Sequence, residues 1–523
     1  MTTVGRGGVI TYTELPGGGG GASVFNLVDT WPLVDNCTMA PSKRTLAIPP
    51  LDGMFLRDRV VAVPTSYGGC YTRACGKAGG NPSLCPPLEL CEQHKDWFWP
   101  PDCSASGGQL CWSAPGLADY LINRSLTLLR ATSFHKPGDR AALKAAGVIE
   151  TYFSISQMDG TVYCQSPGEL AAIAADGGAP SGPMIATINK VADAIAHEFP
   201  DILIDTQAYE ATQKAPNTTI PRPTVQVKVI PINANFGAPL VDSSNLPFLT
   251  DMQAWSKIST RLSLWSYPIC YGYAGQFKPW PSWFVTAQNI QYAAANNVSW
   301  IYLESTVAAV GVGGLAFEME PLRAYLTAAM MWKPAQDWAK LADAFLEGYY
   351  GAEGAFGVRT YLDTMGGAEA ASHFYLGQYN PVYDDPSKPD FLKADYLTPT
   401  STLTSAQGLT AARRSVAKGT SIDPGRQAVL LMRIDAAKMP IYLVTMYRWH
   451  ELAKYTAQAG LPWPLEETTL EAAYQEWTRV FTTLKMSFGL GVEGSCCVRG
   501  SFFFKLIFNR TTATTRGVRQ LTV

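Results

Sequence analysis

The sequence predicts a (β/α) barrel of TIM type, incomplete as read, followed by an all-helical C-terminal domain. Two observations carry this. Short buried strands alternate with amphipathic helices from about residue 55 to residue 330, and parallel neighbours need such crossovers. From Trp338 onward the apolar period is helical, with no strand between.

The strands come first. Phe55 to Val63, Val148 to Ser156, Ile202 to Ala208, Val225 to Ile232, Leu262 to Trp265 and Trp300 to Leu303 read as buried strands. Between them, Pro115 to Ala131, a segment capped by Ser181 with the stripe Ile185, Ile188, Val191 and Ile195, Leu249 to Ile258, and Phe284 to Ala295 suit helix period. No helix is legible between Tyr209 and Val225. Six strands fall short of the eight of a closed barrel, so a doubly wound open sheet is the competing architecture. Later, Trp338 to Tyr350, Gly408 to Lys418, Arg426 to Ala459 and Glu466 to Met486 read as helices, with Pro440 expected to kink or break the third. The expected organisation is a Gly/Pro-rich segment over 1–50, a barrel over 51–350 with a cysteine-rich insertion at 64–114, a helical domain over 351–486 and a tail over 487–523.

Composition narrows the function. The chain has 523 residues and a net charge of −2, from 41 basic and 43 acidic residues, which gives no electrostatic case for nucleic acid or an anionic membrane. Aromatic residues reach 11%, with 14 Trp and 24 Tyr; sugar-binding clefts use such rings, and so do ordinary cores. Cys70, Cys75, Cys85, Cys91, Cys103 and Cys111 crowd one Gly/Pro-rich stretch and read as disulfide staples, their pairing open. Sequons at Asn36, Asn123, Asn217, Asn297 and Asn509 fit a secretory route, although Met1 to Ser23 lacks the pattern of a signal peptide. No apolar run is long enough to span a bilayer. The five His show no zinc-protease or facial-triad spacing, and no cofactor or metal is expected.

In a parallel α/β barrel, reactive groups lie at the C-terminal strand ends. Those positions hold Asp159, Tyr209, Asn233, Trp265, Tyr267 and Glu304. Glycosidic cleavage needs an acid for the leaving oxygen and a group that supports the oxocarbenium-like centre, so Glu304 and Asp159 are the catalytic candidates and the other four the substrate-binding ones. Duller roles compete: Asp159-Gly160 is a common turn pair, Glu304 can pair with Arg323, and the aromatic residues can be packing. Asp205 lies within a strand and reads as a structural carboxylate.

At these residues the chain resembles the family of domains of unknown function numbered 4838, which overlaps glycoside hydrolase family 163. The matching segments are His94-Lys95-Asp96-Trp97-Phe98, like H-P-E-W-F, Gln109-Leu110-Cys111-Trp112-Ser113, and Ser154-Ile155-Ser156-Gln157-Met158-Asp159-Gly160, like S-x-S-Q-N-D. Asp205-Thr206-Gln207-Ala208-Tyr209, Trp265-Ser266-Tyr267, Tyr302-Leu303-Glu304 and Phe345-Leu346-Glu347-Gly348-Tyr349-Tyr350-Gly351 come next, in that order. The resemblance implies a barrel glycosidase acting on N-acetylhexosamine-containing glycans by a substrate-assisted mechanism, endo-β-N-acetylglucosaminidase-like. Glu304 is then the general acid/base, Asp159 orients the acetamido group, Tyr209 and Tyr267 hydrogen-bond it, and Trp265 floors the sugar. The chain departs from the family at Met158, where Asn is usual, and at Ser266, where Asp is usual. Of a C-x-C-x-x-C cluster only Cys164 remains, with Ser166 and Glu169 in the other places, so a disulfide or metal there is expected to be lost. These departures make a catalytically inactive carbohydrate-binding protein the alternative reading.

Overall fold

The computed structural model describes residues 3–4, 10–11, 58–62, 88–101, 109–131, 150–157, 160–268, 278–303, 318–377, 390 and 392–483. The tail over 487–523, most of the N-terminal segment and most of the cysteine-rich insertion lie outside them.

Six strands form one sheet: β1 (Asp58–Ala62), β2 (Glu150–Ser154), β3 (Ile202–Ala208), β4 (Val225–Val229), β5 (Leu262–Ser266) and β6 (Val298–Leu303). All neighbours are parallel, and the spatial order is the chain order from β1 to β6. A doubly wound sheet reverses its order partway; a barrel does not. The strand order therefore excludes the open-sheet alternative and makes the sheet an incomplete (β/α) barrel wall among the described residues.

The pleat sorts the side chains. Ile202, Ile204, Val225, Val227, Val229, Leu262, Leu264 and Ile301 are all 2% exposed or less and point one way. Against this face lie the helices; Ser181–Glu198 packs on β3 and β4, and Val285–Ala295 packs on β6. The other face carries Asp205, Gln226, Lys228, Ser263, Trp265, Trp300 and Tyr302. A register shift between Val298 and Trp300 rephases β6 so that Trp300 joins this polar and aromatic face, which is the barrel lumen.

In chain order the helices are α1 (Leu88–Gln93), α2 (Leu117–Ala131), α3 (Pro167–Ala175), α4 (Ser181–Glu198), α5 (Leu246–Ile258), α6 (Val285–Ala295) and α7 (Glu320–Trp332). The helical domain adds α8 (Trp338–Ser372), α9 (Pro399–Lys418), α10 (Pro424–Tyr447), α11 (Trp449–Ala459) and α12 (Leu470–Thr483). Between β3 and β4 there is only a single 3-10 turn, Glu210–Thr212. Two sequence expectations need correction here. Ser181 is the first helical residue of α4 rather than its cap, and its hydroxyl donates to the carbonyl of Lys214. The helix through Pro440 does not break there; α10 continues through it and the chain turns at Arg448. Residues around Pro440 are buried, and Trp477 Nε1 donates to Met439 O at 3.1 Å, so packing outweighs the lost N–H.

Helix α8 contains one non-helical residue, Gly351 at φ 75°. Beyond it α8 crosses α9 at close range: a Cβ on Gly357 would stand 2.1 Å from Gly408 O and 2.7 Å from Ala412 Cβ. Gly357→Ala must separate the two helices. We expect it to lower the stability of the folded chain by about 1–3 kcal/mol in chemical denaturation; an unchanged midpoint would contradict the contact.

Candidate active site

Because the six strands are parallel, their C-terminal ends share one edge of the sheet, and the lumen residues at that edge form the candidate site. Asp159 and Glu304 both lie outside the described residues. Their described neighbours are Gln157, Gly160 and Leu303. Gln157 is buried, and its side-chain oxygen accepts a 2.5 Å hydrogen bond from Thr212 Oγ1, on the turn just beyond β3. The β2 and β3 strand ends are thereby tied together.

Tyr209 extends β3 and is 6% exposed; its N–H donates to Thr212 Oγ1. On β5 the half-buried Trp265 stacks on Tyr267, with centroids 5.8 Å apart, and meets the edge of Tyr302 of β6 at 4.7 Å. Trp265 and Tyr267 thus share one wall with Tyr302. Asn233 stands apart: it is exposed on the loop after β4, and its backbone carbonyl accepts from the Tyr375 hydroxyl of the helical domain. Ser266 is in phase with Leu264 and pairs with Leu303, so it faces the helices rather than the lumen.

Below this edge lies a charged layer. Lys228 Nζ is 2.8 Å from Asp205 Oδ2, with side chains 10% and 3% exposed. Gln226 Nε2 donates to Asp205 Oδ1 at 3.1 Å. Lys228 Nζ also lies 5.7 Å from the Trp265 ring centroid and 5.1 Å from that of Trp300. One carboxylate and two indole faces thus surround the Lys228 amine. Gln226 Oε1, Ser263 Oγ and Trp300 Nε1 are buried in the same layer without hydrogen-bond partners among the described residues. Asp205 is thus the structural carboxylate expected from its place within a strand. Sequence reasoning passed over Lys228 and Gln226. The signal was the run Val225-Gln226-Val227-Lys228-Val229, which alternates with period two inside a buried strand.

Just before α7 stands Glu318, whose side chain is 1% exposed. Glu318 Oε2 accepts from Trp283 Nε1 at 2.5 Å and from Arg323 Nη2 at 3.1 Å, and Oε1 accepts from the Tyr361 hydroxyl of α8. Burial raises its pKa, opposed chiefly by the Arg323 charge. Arg323 is thus engaged by Glu318, and it also donates to Ser282 Oγ and Trp280 O.

The cysteine-rich stretch is stapled to the loop after β2. Cys111 and Cys164 form a disulfide across a separation of 53 residues, which overturns the expected loss of any disulfide at Cys164. Ser166 caps α3 by accepting from Glu169 N, and Glu169 Oε2 accepts from Ser113 N at 2.7 Å and from Ser113 Oγ at 2.5 Å. Glu169 therefore fastens the same two segments by hydrogen bonds, and Ser166 caps the helix that carries it. Glu169 is 2% exposed, and burial raises its pKa against the bonds from Ser113. Glu169→Ala removes the acceptor of both Ser113 bonds, and we expect a loss of about 1–3 kcal/mol in thermal or chemical unfolding. Cys91 is also disulfide-bonded, whereas Cys70, Cys75, Cys85 and Cys103 lie outside the described residues. No group of three or more His, Cys, Asp or Glu that could hold a metal ion occurs among the described residues.

A serial parallel sheet with an aromatic edge above a buried ion pair defines a (β/α)-barrel protein. The chain belongs to the DUF4838 family, a domain of unknown function, whose model matches residues 59–363. A search of curated proteins gives no match. Among solved structures the chain is similar to a family 138 glycoside hydrolase enzyme targeting pectin rhamnogalacturonan II, at 10% identity and a TM-score of 0.35, covering 83% of this chain and 62% of that one. It is also similar to CpGH84B, at 9% identity and a TM-score of 0.27, covering 71% and 72%. A family 89 glycoside hydrolase from Clostridium perfringens in complex with PUGNAc matches at 10% identity and a TM-score of 0.31, covering 79% and 47%. The chain spans less than two thirds of the first and third of these proteins.

Proposed function

We propose that this protein is a glycoside hydrolase acting on N-acetylhexosamine-containing glycans in an endo-β-N-acetylglucosaminidase-like, substrate-assisted manner. The observation that carries the reading is the aromatic wall of Trp265, Tyr267 and Tyr302 at the C-terminal edge of a parallel barrel sheet. Stacked rings beside buried polar groups suit the C–H face of a pyranose and its hydroxyl rim. In the sequence Glu304 directly follows Leu303, the last residue of β6, and Asp159 lies two residues beyond the tethered Gln157.

In the proposed mechanism the substrate's acetamido oxygen attacks the anomeric carbon while the glycosidic bond to the leaving sugar breaks. Glu304 gives its proton to the leaving oxygen, then takes one from the water that opens the oxazolinium ring. Asp159 orients the acetamido group and offsets the positive charge on it. Tyr209 and Tyr267 hydrogen-bond that group, Asn233 contacts a more distant sugar, and Trp265 supports the ring. A secretory location fits the Cys111–Cys164 disulfide and the exposure of Asn123, Asn217 and Asn297. No helix among the described residues is long and apolar enough to cross a membrane.

The test is release of sugar from N-glycan and chitobiose-type substrates by wild type, Glu304→Gln and Asp159→Asn. Turnover by wild type alone supports the reading. Equal turnover by all three removes the site assignment. Binding without turnover by wild type favours the inactive carbohydrate-binding alternative.

A further inference from the structure

At the joint between the loop after β4 and the end of α8 sits a carboxyl group to which no described residue donates a hydrogen bond. Glu369 is 5% exposed, and neither a backbone N–H nor a side chain stabilises its charge. Its Oε1 lies against the backbone of Gly237, so close that a Cβ there would stand 2.1 Å from it. The neighbouring polar atom is the wrong kind. Asn235 Oδ1, 3.2 Å from that same Cβ position, is an acceptor already taken by Gly237 N at 3.0 Å and Leu376 N at 2.9 Å. The facing charged groups are Asp242, on the same loop and bonded to Ser244, and His373 at the end of α8, which acts on Asp242. An ionised Glu369 thus meets an acceptor and another carboxylate, whereas a protonated one meets neither penalty.

Three bonds cross the same joint. Phe236 N donates to Leu376 O at 2.9 Å, Leu376 N donates to Asn235 Oδ1, and the Tyr375 hydroxyl donates to Asn233 O. We propose that Glu369 is a proton-dependent latch: protonated, it seats the β4 loop on the helical domain; ionised, it releases the loop that carries Asn233.

Burial and the Asp242 charge push the Glu369 pKa up to about 7 from an ordinary 4.5. In the released loop the carboxyl is hydrated and regains the ordinary value. The latch is therefore fully engaged below pH 4.5, weakens as pH rises toward 7, and changes no further above that. The measurement is amide hydrogen exchange of Phe236 and Leu376 in the full chain, corrected for intrinsic rates. Between pH 5 and 7.5, wild-type protection should fall on the order of a hundredfold. Glu369→Gln should hold it constant, and Asp242→Asn should move the midpoint down. His373 is retained in both variants, so a fall owed to the imidazole persists in Glu369→Gln. Constant wild-type protection, or an equal fall in Glu369→Gln, overturns the latch. Should the glutamine variant fail to fold, Asp242→Asn decides: an unmoved midpoint rejects the proposal and a lowered one supports it.

Discussion

Exchanging Glu304 for glutamine is expected to lower turnover of a chitobiose-type substrate roughly a thousandfold, within the range a positioned general acid contributes. The amide is nearly isosteric and can still hydrogen-bond the leaving oxygen, but it carries no proton to give. Substrate affinity should therefore change little, and the loss should fall on kcat rather than KM. The pH–rate profile distinguishes this from a fault in folding: the limb governed by the acid disappears, while thermal unfolding matches wild type. Asp159→Asn should also depress kcat, because a neutral amide offsets less of the charge that develops on the acetamido group. A leaving group that needs no protonation, such as a nitrophenolate, should restore much of the bond-breaking step in Glu304→Gln, read as the initial release of nitrophenolate, and little of it in Asp159→Asn. Equal recovery by both variants is incompatible with the assigned roles.

The second large effect concerns stability. Arg323→Met removes the cation bonded to Glu318 while Tyr361 and Trp283 still donate to it. The remaining carboxylate is wholly buried, and breaking such a pair from one side costs about 3–5 kcal/mol. Glu318 then favours its protonated form, so the variant should lose less stability at acid pH than at neutral pH. Arg323→Met combined with Glu318→Gln removes the stranded charge and should recover part of the loss. Chemical denaturation of the single and double variants measures the coupling. A double variant weaker than Arg323→Met by the full cost of a second independent change would show that the two groups do not interact.

Much of the barrel is legible in the sequence because its signals are local. Runs such as Val225 to Val229 are short, apolar on alternate positions, and set between helical stripes, so the strands read within a few residues of their observed bounds. Tyr209, Trp265 and Tyr267 are legible from position alone, since each sits at or just past the C-terminal end of a strand. The hidden features depend on partners distant in sequence. Nothing near Glu318 announces Tyr361 or Trp283, and Cys111 gives no hint that its partner is Cys164 rather than another cysteine of its own stretch. Helix α3 escapes a reading by period because it is short and apolar all round, so no stripe marks it. At Pro440 a strong local rule predicts a kink or a break; the helix is not broken there, and the surrounding turn is buried. Lys228 is obscure for a related reason. A lysine in a core strand looks like an error until Asp205 appears one strand away.

The pairing of β1 directly with β2, residue for residue from Asp58 opposite Glu150 to Ala62 opposite Ser154, has an evolutionary consequence. The long excursion between those strands leaves their alignment intact, and lengthening such a detour costs only about 0.6 kcal/mol per doubling. Natural variation can therefore splice new material between neighbouring staves without disturbing the cask.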